Sequence, residues 1–307
     1  MKKQKTIKIK NKLDVIAIIS VVVIGIYCLS LIAVLLWGLL NSLKGQFDLL
    51  EGNLFGLPRS PEEYEFGEGW MFENFKSALT IMNLSVTRVG KPPLTVYVYQ
   101  MLGNSLIYSV MMTLFQIASM VLAAYACAKY EFKGRAIIYG AAIFVMIIPI
   151  IGSLSSELRF ARSLNLYDSL LGVCIMKCRY AGLYFLVFYA TFRSISWTYA
   201  EAAQLDGASD WFIFLRIMFP LARSTIFAVF ILLFITHWNE YYTPMMFIPS
   251  MPTVAYGLYR FQFTPDQNNT IPTQLAASFI VCVPIIIMFL IFKDKIIGNI
   301  TMGGLKG

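Results

Sequence analysis

Long apolar runs alternate with short charged turns along this chain. The run from Val15 to Leu40 carries no charge. It is long enough to cross a bilayer, which takes about 20 apolar residues as a helix. Further runs extend over about Leu102–Ala128, Ala136–Leu154, Asp168–Phe192, Ala222–Pro244 and Gln274–Phe292. The pattern predicts an all-α, polytopic membrane protein with six transmembrane helices. Pro149 is expected to kink the third span.

The connecting segments orient these spans. Residues 1–14 form a basic tail with Lys2, Lys3, Lys5, Lys8, Lys10 and Lys12. A basic stretch before an uncleaved span places the N-terminus in the cytoplasm, and the long apolar run without a small-residue cleavage site is not a signal peptide. Residues 41–101 form a polar loop region holding Glu62, Glu63, Glu65, Glu68 and Glu73, as an extracellular segment should. Pro58, Pro61, Pro92 and Pro93 argue against one continuous helix there. Lys129, Lys133 and Arg135 mark a cytoplasmic turn, and Lys293, Asp294 and Lys295 mark the exit to a cytoplasmic tail, 293–307. Six crossings put both termini inside, with residues 102–292 as a five-helix core. Segments 155–167 and 245–273 are expected outside.

Composition agrees with this reading and narrows it. The 307 residues are 58% hydrophobic and 14% charged, with mean hydropathy +0.67. Soluble domains are about half apolar and a quarter charged. The net charge of +8 follows from the basic cytoplasmic turns, so no nucleic-acid partner is implied. Cys28, Cys127, Cys174, Cys178 and Cys282 lie in or beside apolar runs and read as small hydrophobes. Cys174 and Cys178 share a helix face, but His237 is the only histidine, which argues against a metal site. No phosphate-binding loop and no nucleophile elbow appear, so the chain is not expected to be an enzyme.

One polar stretch interrupts the apolar plan. Residues 201–221 read EAAQLDGASDWFIFLRIMFPL. Glu201, Ala202 and Ala203 begin a run of helix formers. Asp206-Gly207 is a turn pair, and a second apolar stretch, Trp211 to Met218, is expected to stop at Pro220. The local reading is a helix, a turn and a second helix lying along the membrane, a shape that fits a groove on a soluble partner.

The spacing of Glu201-Ala202-Ala203, Asp206-Gly207, Ile217 and Pro220 resembles the cytoplasmic coupling loop of ABC-importer permeases of the carbohydrate type. Phe219 stands where that family usually has Leu. The resemblance continues through Asn104-Ser105-Leu106-Ile107, Ala123-Ala124-Tyr125-Ala126, Phe132-Lys133-Gly134-Arg135, Phe192-Arg193-Ser194-Ile195 and Trp238-Asn239-Glu240, and through the terminal Gly303-Gly304-Leu305-Lys306-Gly307. Ser196 departs from the usual Pro. The likeness covers about residues 70–307 and is strongest to the second, six-span permease of maltose-type sugar importers.

That resemblance implies a bacterial cytoplasmic-membrane subunit for carbohydrate, an oligosaccharide by expectation. The implied partners are a second homologous permease, two ATP-binding cassette subunits and an extracellular solute-binding protein. ATP and Mg would sit on the partner ATPases, with no cofactor on this chain. Residues 193–221 would form the coupling loop, with Glu201, Ala202, Ala203, Asp206, Gly207, Ile217 and Pro220 meeting the ATPase. Gly304, Lys306 and Gly307 would reach towards the same interface.

Charged positions within the spans are candidates for the substrate path or a gate. The alternatives for the cations are pairing with the second permease, or a fourth span shifted so that this part is wetter. Lys177 and Arg179 interrupt the fourth run, where a cation costs about 2.5–3.5 kcal/mol on insertion scales. Two residues apart on a helix, they would point about 200° apart. Glu240 is the candidate counter-charge, though about 10 Å shallower along the helices. Asn239 and Glu240 are candidates for an outer gate, and Trp238 for interfacial anchoring. Asn104 and Gln116 are expected to bond between helices. The alternative, a stand-alone secondary transporter of a small polar solute, would need mid-span acids and internal repeats, and neither is evident. An intramembrane enzyme lacks a catalytic constellation.

Overall fold

Fourteen α-helices and one hairpin account for most of the chain among the described residues, as long apolar runs dictate. The computed structural model describes residues 15–88, 91–148, 152–264, 266–267 and 269–302. These fall into two units: the described residues up to Ser77 together with Thr270–Ala276, and Ala78–Asn269 together with the described residues from Ala277 on.

The first unit starts with α1, Val15–Ser42, exposed from Ala17 to Trp37. A surface this apolar needs lipid or protein around it. After α1 the chain folds over a buried polar centre. Helix α2, Gln46–Leu50, presents Asp48, which is 1% exposed. Arg59 Nε donates to Asp48 at 2.6 Å, and the Arg59 amide donates to the other carboxylate oxygen at 3.0 Å. Lys44 is fully buried, and its ammonium donates to the Asn53 carbonyl at 2.6 Å. Asn74 donates to the carbonyls of Ser42 and Lys44, both at 2.9 Å. Burial works against the Asp48 charge, but the bonds from Arg59 and Asn53 outweigh it and hold this carboxyl below its usual range. For Lys44, burial is the main influence and lowers the ammonium's pKa, opposed by Asp48 and reinforced by Arg59.

Helix α3, Glu73–Ile81, leads to an antiparallel hairpin of β1, Asn83–Arg88, and β2, Lys91–Tyr97. The all-α expectation misses this pair. Leu84 and Val86 oppose Val96 and Leu94 across it, and Pro92 and Pro93 are tolerated because β2 has a free edge.

Helix α4, Val98–Lys129, is the central span of the second unit and packs against α8, Leu183–Ser194, and α11, Phe219–Trp238. The core between them holds Tyr125, Phe185, Phe188, Phe192, Phe214 and Val229. In chain order the others are α5, Arg135–Ile147; α6, Leu154–Ser163; α7, Leu170–Lys177; α9, Thr198–Leu205; α10, Asp210–Ile213; α12, Tyr242–Phe247; α13, Val254–Phe261; and α14, Ile271–Met302. Among the described residues, four helical stretches are long and apolar enough to cross a membrane: 17–42, 98–129, 210–238 and 271–293.

Four expectations are corrected. The fourth run is two helices, because the chain leaves the α conformation between Cys178 and Gly182. Gly182 sits at φ 154°, ψ 179°, a region essentially restricted to glycine. Next, Pro220 does not end a surface helix. Helix α10 passes through a π turn, Phe214–Met218, directly into α11, so one stretch runs from Asp210 to Trp238. Pro220 falls in the first turn of α11, directly after the π turn, and does not interrupt the stretch. This span stops at Trp238, and Pro244 belongs to α12. Trp238 itself is 3% exposed and donates to the Val281 carbonyl at 3.3 Å, so it locks α11 to α14 instead of anchoring at an interface. The expected kink at Pro149, the tail 1–14 and the terminal Gly304, Lys306 and Gly307 lie outside the described residues.

Candidate functional site

Two features of the second unit are joined by the same helices. The first is a cavity of about 560 Å³ walled by α4, α6, α7, α8 and α11, within the roughly 300–1,000 Å³ of ligand pockets. Lys177 and Arg179 both line it, as does Glu240. The 200° separation fails because Arg179 follows the end of α7 and is no longer on a helix. Asn239 is not in the wall; its amide turns back to the Ile235 carbonyl at 3.0 Å.

The counter-charge of Lys177 is Glu157 on α6, not Glu240. Ser153 donates to the other Glu157 oxygen at 2.6 Å, and the Lys177 ammonium also lies 4.7 Å from the Phe247 ring centre. The bonds from Lys177 and Ser153 hold the Glu157 carboxyl below its usual range against the effect of burial. Glu240 accepts from the Thr243 amide at 3.1 Å at the start of α12.

Gln116 of α4 braces the break after α7. Its amide nitrogen donates to the Lys177 carbonyl at 3.4 Å, and its oxygen faces His237 Nε2 at 3.1 Å. That orientation assigns the proton to Nε2 in the neutral ring. Asn104 donates to the Pro252 carbonyl at 3.0 Å, so it ties α4 to a loop and not to another helix. Glu157, His237 and Tyr108 are cavity residues that the sequence reading missed. The only available signal for Glu157 was the need of Lys177 for an acid.

The second feature is the loop from Ile195 to Met218. Helix α9 carries Glu201, Ala202 and Ala203 and ends in a Schellman motif. Ala208 N–H donates to the Ala203 carbonyl and Gly207 N–H to the Gln204 carbonyl, both at 2.9 Å. Gly207 has φ 79°, the left-handed conformation this cap requires. Ser209 then caps α10 by accepting from the Phe212 amide at 3.3 Å. Glu201, Ala202, Asp206, Gly207 and Pro220 are exposed; Ala203 and Ile217 are half-buried. Leu205 is 90% exposed and Trp211 61%, an apolar surface suited to a partner.

The loop is rooted in the core. Ala200, Ile213 and Met218 are fully buried, and Phe214 packs 4.8 Å from Tyr125 between ring centres. Lys129, at the end of α4, donates to the Ile195 carbonyl and lies 5.8 Å from the Trp197 ring centre. The joined α10–α11 stretch and α8 each lead from this loop to the cavity wall.

The family model described as binding-protein-dependent transport system inner membrane component matches residues 117–294. This match takes in both the cavity helices and the loop. The chain belongs to this family. The permease is 26% identical over 290 residues to the diacetylchitobiose uptake system permease of Streptomyces coelicolor, covering 94% of this chain and 88% of that one. It is 32% identical over 213 residues to the trehalose/maltose transport system permease of Thermococcus litoralis, covering 67% and 75%. A crystal structure of a bacterial ABC transporter involved in the import of the acidic polysaccharide alginate shares its fold, with TM-score 0.71 at 20% identity over 93% of this permease and 98% of that chain. A membrane permease subunit, rather than a stand-alone secondary transporter or an enzyme, is the function of this chain.

Proposed function

We propose that this permease moves a carbohydrate, delivered by an extracellular solute-binding protein, through the cavity at Lys177, Arg179 and Glu240. ATP hydrolysis on two partner ATPases would drive it, and a second permease would complete the path. The sugar permeases among its relatives support the cargo. The observation that carries the mechanism is the shared scaffold: α8 and the α10–α11 stretch each touch the cavity at one end and the Ile195–Met218 loop at the other. Movement of the loop by an ATPase therefore reaches the cavity through helices, without a flexible linker, and switches its access between the two sides.

In this reading Glu201, Ala202, Ala203, Asp206, Gly207, Ile217 and Pro220 form or support the ATPase-docking surface. Gly304, Lys306 and Gly307 extend towards it. The chain crosses the membrane six times in this reading, with both termini in the cytoplasm. Hydrogen bonds support the count. Asp168 N–H donates to the Phe247 carbonyl at 2.8 Å, and Ser250 N–H donates to the Asp168 side chain at 3.0 Å. Asp168 therefore sits at the Trp238 end of the 210–238 span. Lys129 meets Ile195 at the other end. In this reading the chain crosses between Lys129 and Asp168 and crosses back before Ile195.

Glu201→Lys and Gly207→Pro test the coupling. Both should insert and assemble, while uptake and substrate-stimulated ATP hydrolysis in vesicles of the whole complex fall about tenfold or more. Wild-type values in both variants would remove the assignment of this loop.

A further inference from the structure

The cavity's charges balance. Its wall contains two cations, Lys177 and Arg179, and two carboxylates, Glu157 and Glu240. Lys177 and Glu157 neutralise each other in a direct ion pair. Arg179 and Glu240 have no salt-bridge partner among the described residues, yet they face the same space. Phe160, 56% exposed, and Tyr184 add aromatic surface.

We propose that Arg179 and Glu240 are specificity-determining residues that select an uncharged carbohydrate over an acidic one, by hydrogen-bonding its hydroxyls from opposite charges in a wall of zero net charge. This deepens the reading of the cavity as the carbohydrate path and rests on it. A sugar hydroxyl is both donor and acceptor. Arg179 supplies donors alone and Glu240, ionised, acceptors alone, so a polyol can satisfy both and neutralise neither. An acidic sugar would find one unpaired cation in this wall, Arg179, because Lys177 is already taken by Glu157. Pairing with it would leave Glu240 unneutralised in the same space and repelling the newcomer, so an acidic group gains less there than a polyol that satisfies both residues. The aromatic rings offer apolar faces for the C–H side of a pyranose.

The test uses the full complex in lipid nanodiscs, without the binding protein, so that selection by the permease is read directly. Maltose, trehalose, diacetylchitobiose and an alginate oligosaccharide are titrated, and the thermal midpoint gives an apparent Kd for each. The wild type should favour at least one neutral sugar over the alginate oligosaccharide. Arg179→Gln should weaken the preferred neutral sugar about tenfold, the effect of losing a hydrogen bond to a charged group. Glu240→Gln, which keeps an oxygen for the Thr243 amide, should shift the ratio of the two constants about tenfold towards the alginate oligosaccharide. Preference for the alginate oligosaccharide in the wild type, or an unchanged ratio in both variants, would overturn the specificity assignment alone. If none of the four sugars shifts the wild-type midpoint, the cavity is not a carbohydrate site and both readings fall. Should Glu240→Gln fail to assemble, Arg179→Gln decides the outcome: undiminished affinity for the neutral sugar overturns the proposal.

Discussion

At the scale of single residues, the informative contact is Lys177 with Glu157. Both side chains are about a third exposed, so solvent screens the pair, and its removal should destabilise by about 1 kcal/mol or less. Its effect on transport should be larger, because Lys177 ends α7 where the wall bends and Glu157 holds α6 against it. Lys177→Met should lower uptake by the whole complex about tenfold, by leaving Glu157 a free carboxylate in the cavity. Adding Glu157→Gln should recover most of that loss. A double variant no better than Lys177→Met would show that the ammonium acts on its own and not through the pair. The two cations were visible in the sequence, because charges inside an apolar run demand a reason. The partner of Lys177 was not, since Glu157 lies in a segment that reads as a connection and only the fold brings it within reach. His237 was equally hidden: its single occurrence argued against a metal site but said nothing of Gln116, far away in the chain.

At the scale of elements, periodicity located the long spans and failed where a local device overrode it. The run through Cys178, Arg179, Tyr180 and Ala181 has no proline, and Gly182 alone signals the break. Pro220 signals a break that the π turn before it avoids. Leu84, Val86, Leu94 and Val96 alternate as strands should, but Pro92 and Pro93 masked the second strand. The lobe after α1 reads as an acidic loop, whereas the buried Asp48 and Lys44, with the half-buried Arg59, give it a fixed centre. That centre makes a pH prediction. The folded-state pKa of Asp48 lies below its unfolded value of about 4, so Asp48 contributes stability above that pH and loses it as pH falls through the folded value. Lys44, with a lowered pKa, works at the alkaline end: its burial penalty is relieved as pH rises through its folded value. Limited proteolysis of the full chain in nanodiscs should show residues 43–72 losing protection only below about pH 4. Asp48→Asn should be less protected already at pH 7, with about 2 kcal/mol lost. Equal protection of the two proteins at pH 7 would mean that the ion pair does not hold the lobe.

At the scale of the molecule, the open quantity is the number of crossings, and helix length and the proposed six-crossing topology give different counts. Helix α5 has 13 residues, and α7 and α8 have 8 and 12. Each falls short of the 20 or so that a bilayer requires, so length alone counts four spans. Four and six crossings agree on much of the topology: both place the 195–209 loop on the side of the N-terminus and the 239–269 segment on the other. With the N-terminus in the cytoplasm, as proposed, a tag in Glu62–Glu73 would be outside in either case and cannot separate them. They differ at α6. With four crossings α6 stays on the cytoplasmic side; with six it is outside, beside the α12 segment to which Asp168 is bonded. Broken crossings also suit a transport wall, because irregular backbone is tolerated at membrane depth where it lines a cavity, and the Cys178–Gly182 break does so. Ser163→Cys in a chain otherwise freed of cysteine should therefore react with a membrane-impermeant maleimide added to intact spheroplasts. Ala208→Cys, in the proposed coupling loop, should react only after permeabilisation. Protection of both positions until permeabilisation would return the count to four and take α6, with Glu157, off the outer side.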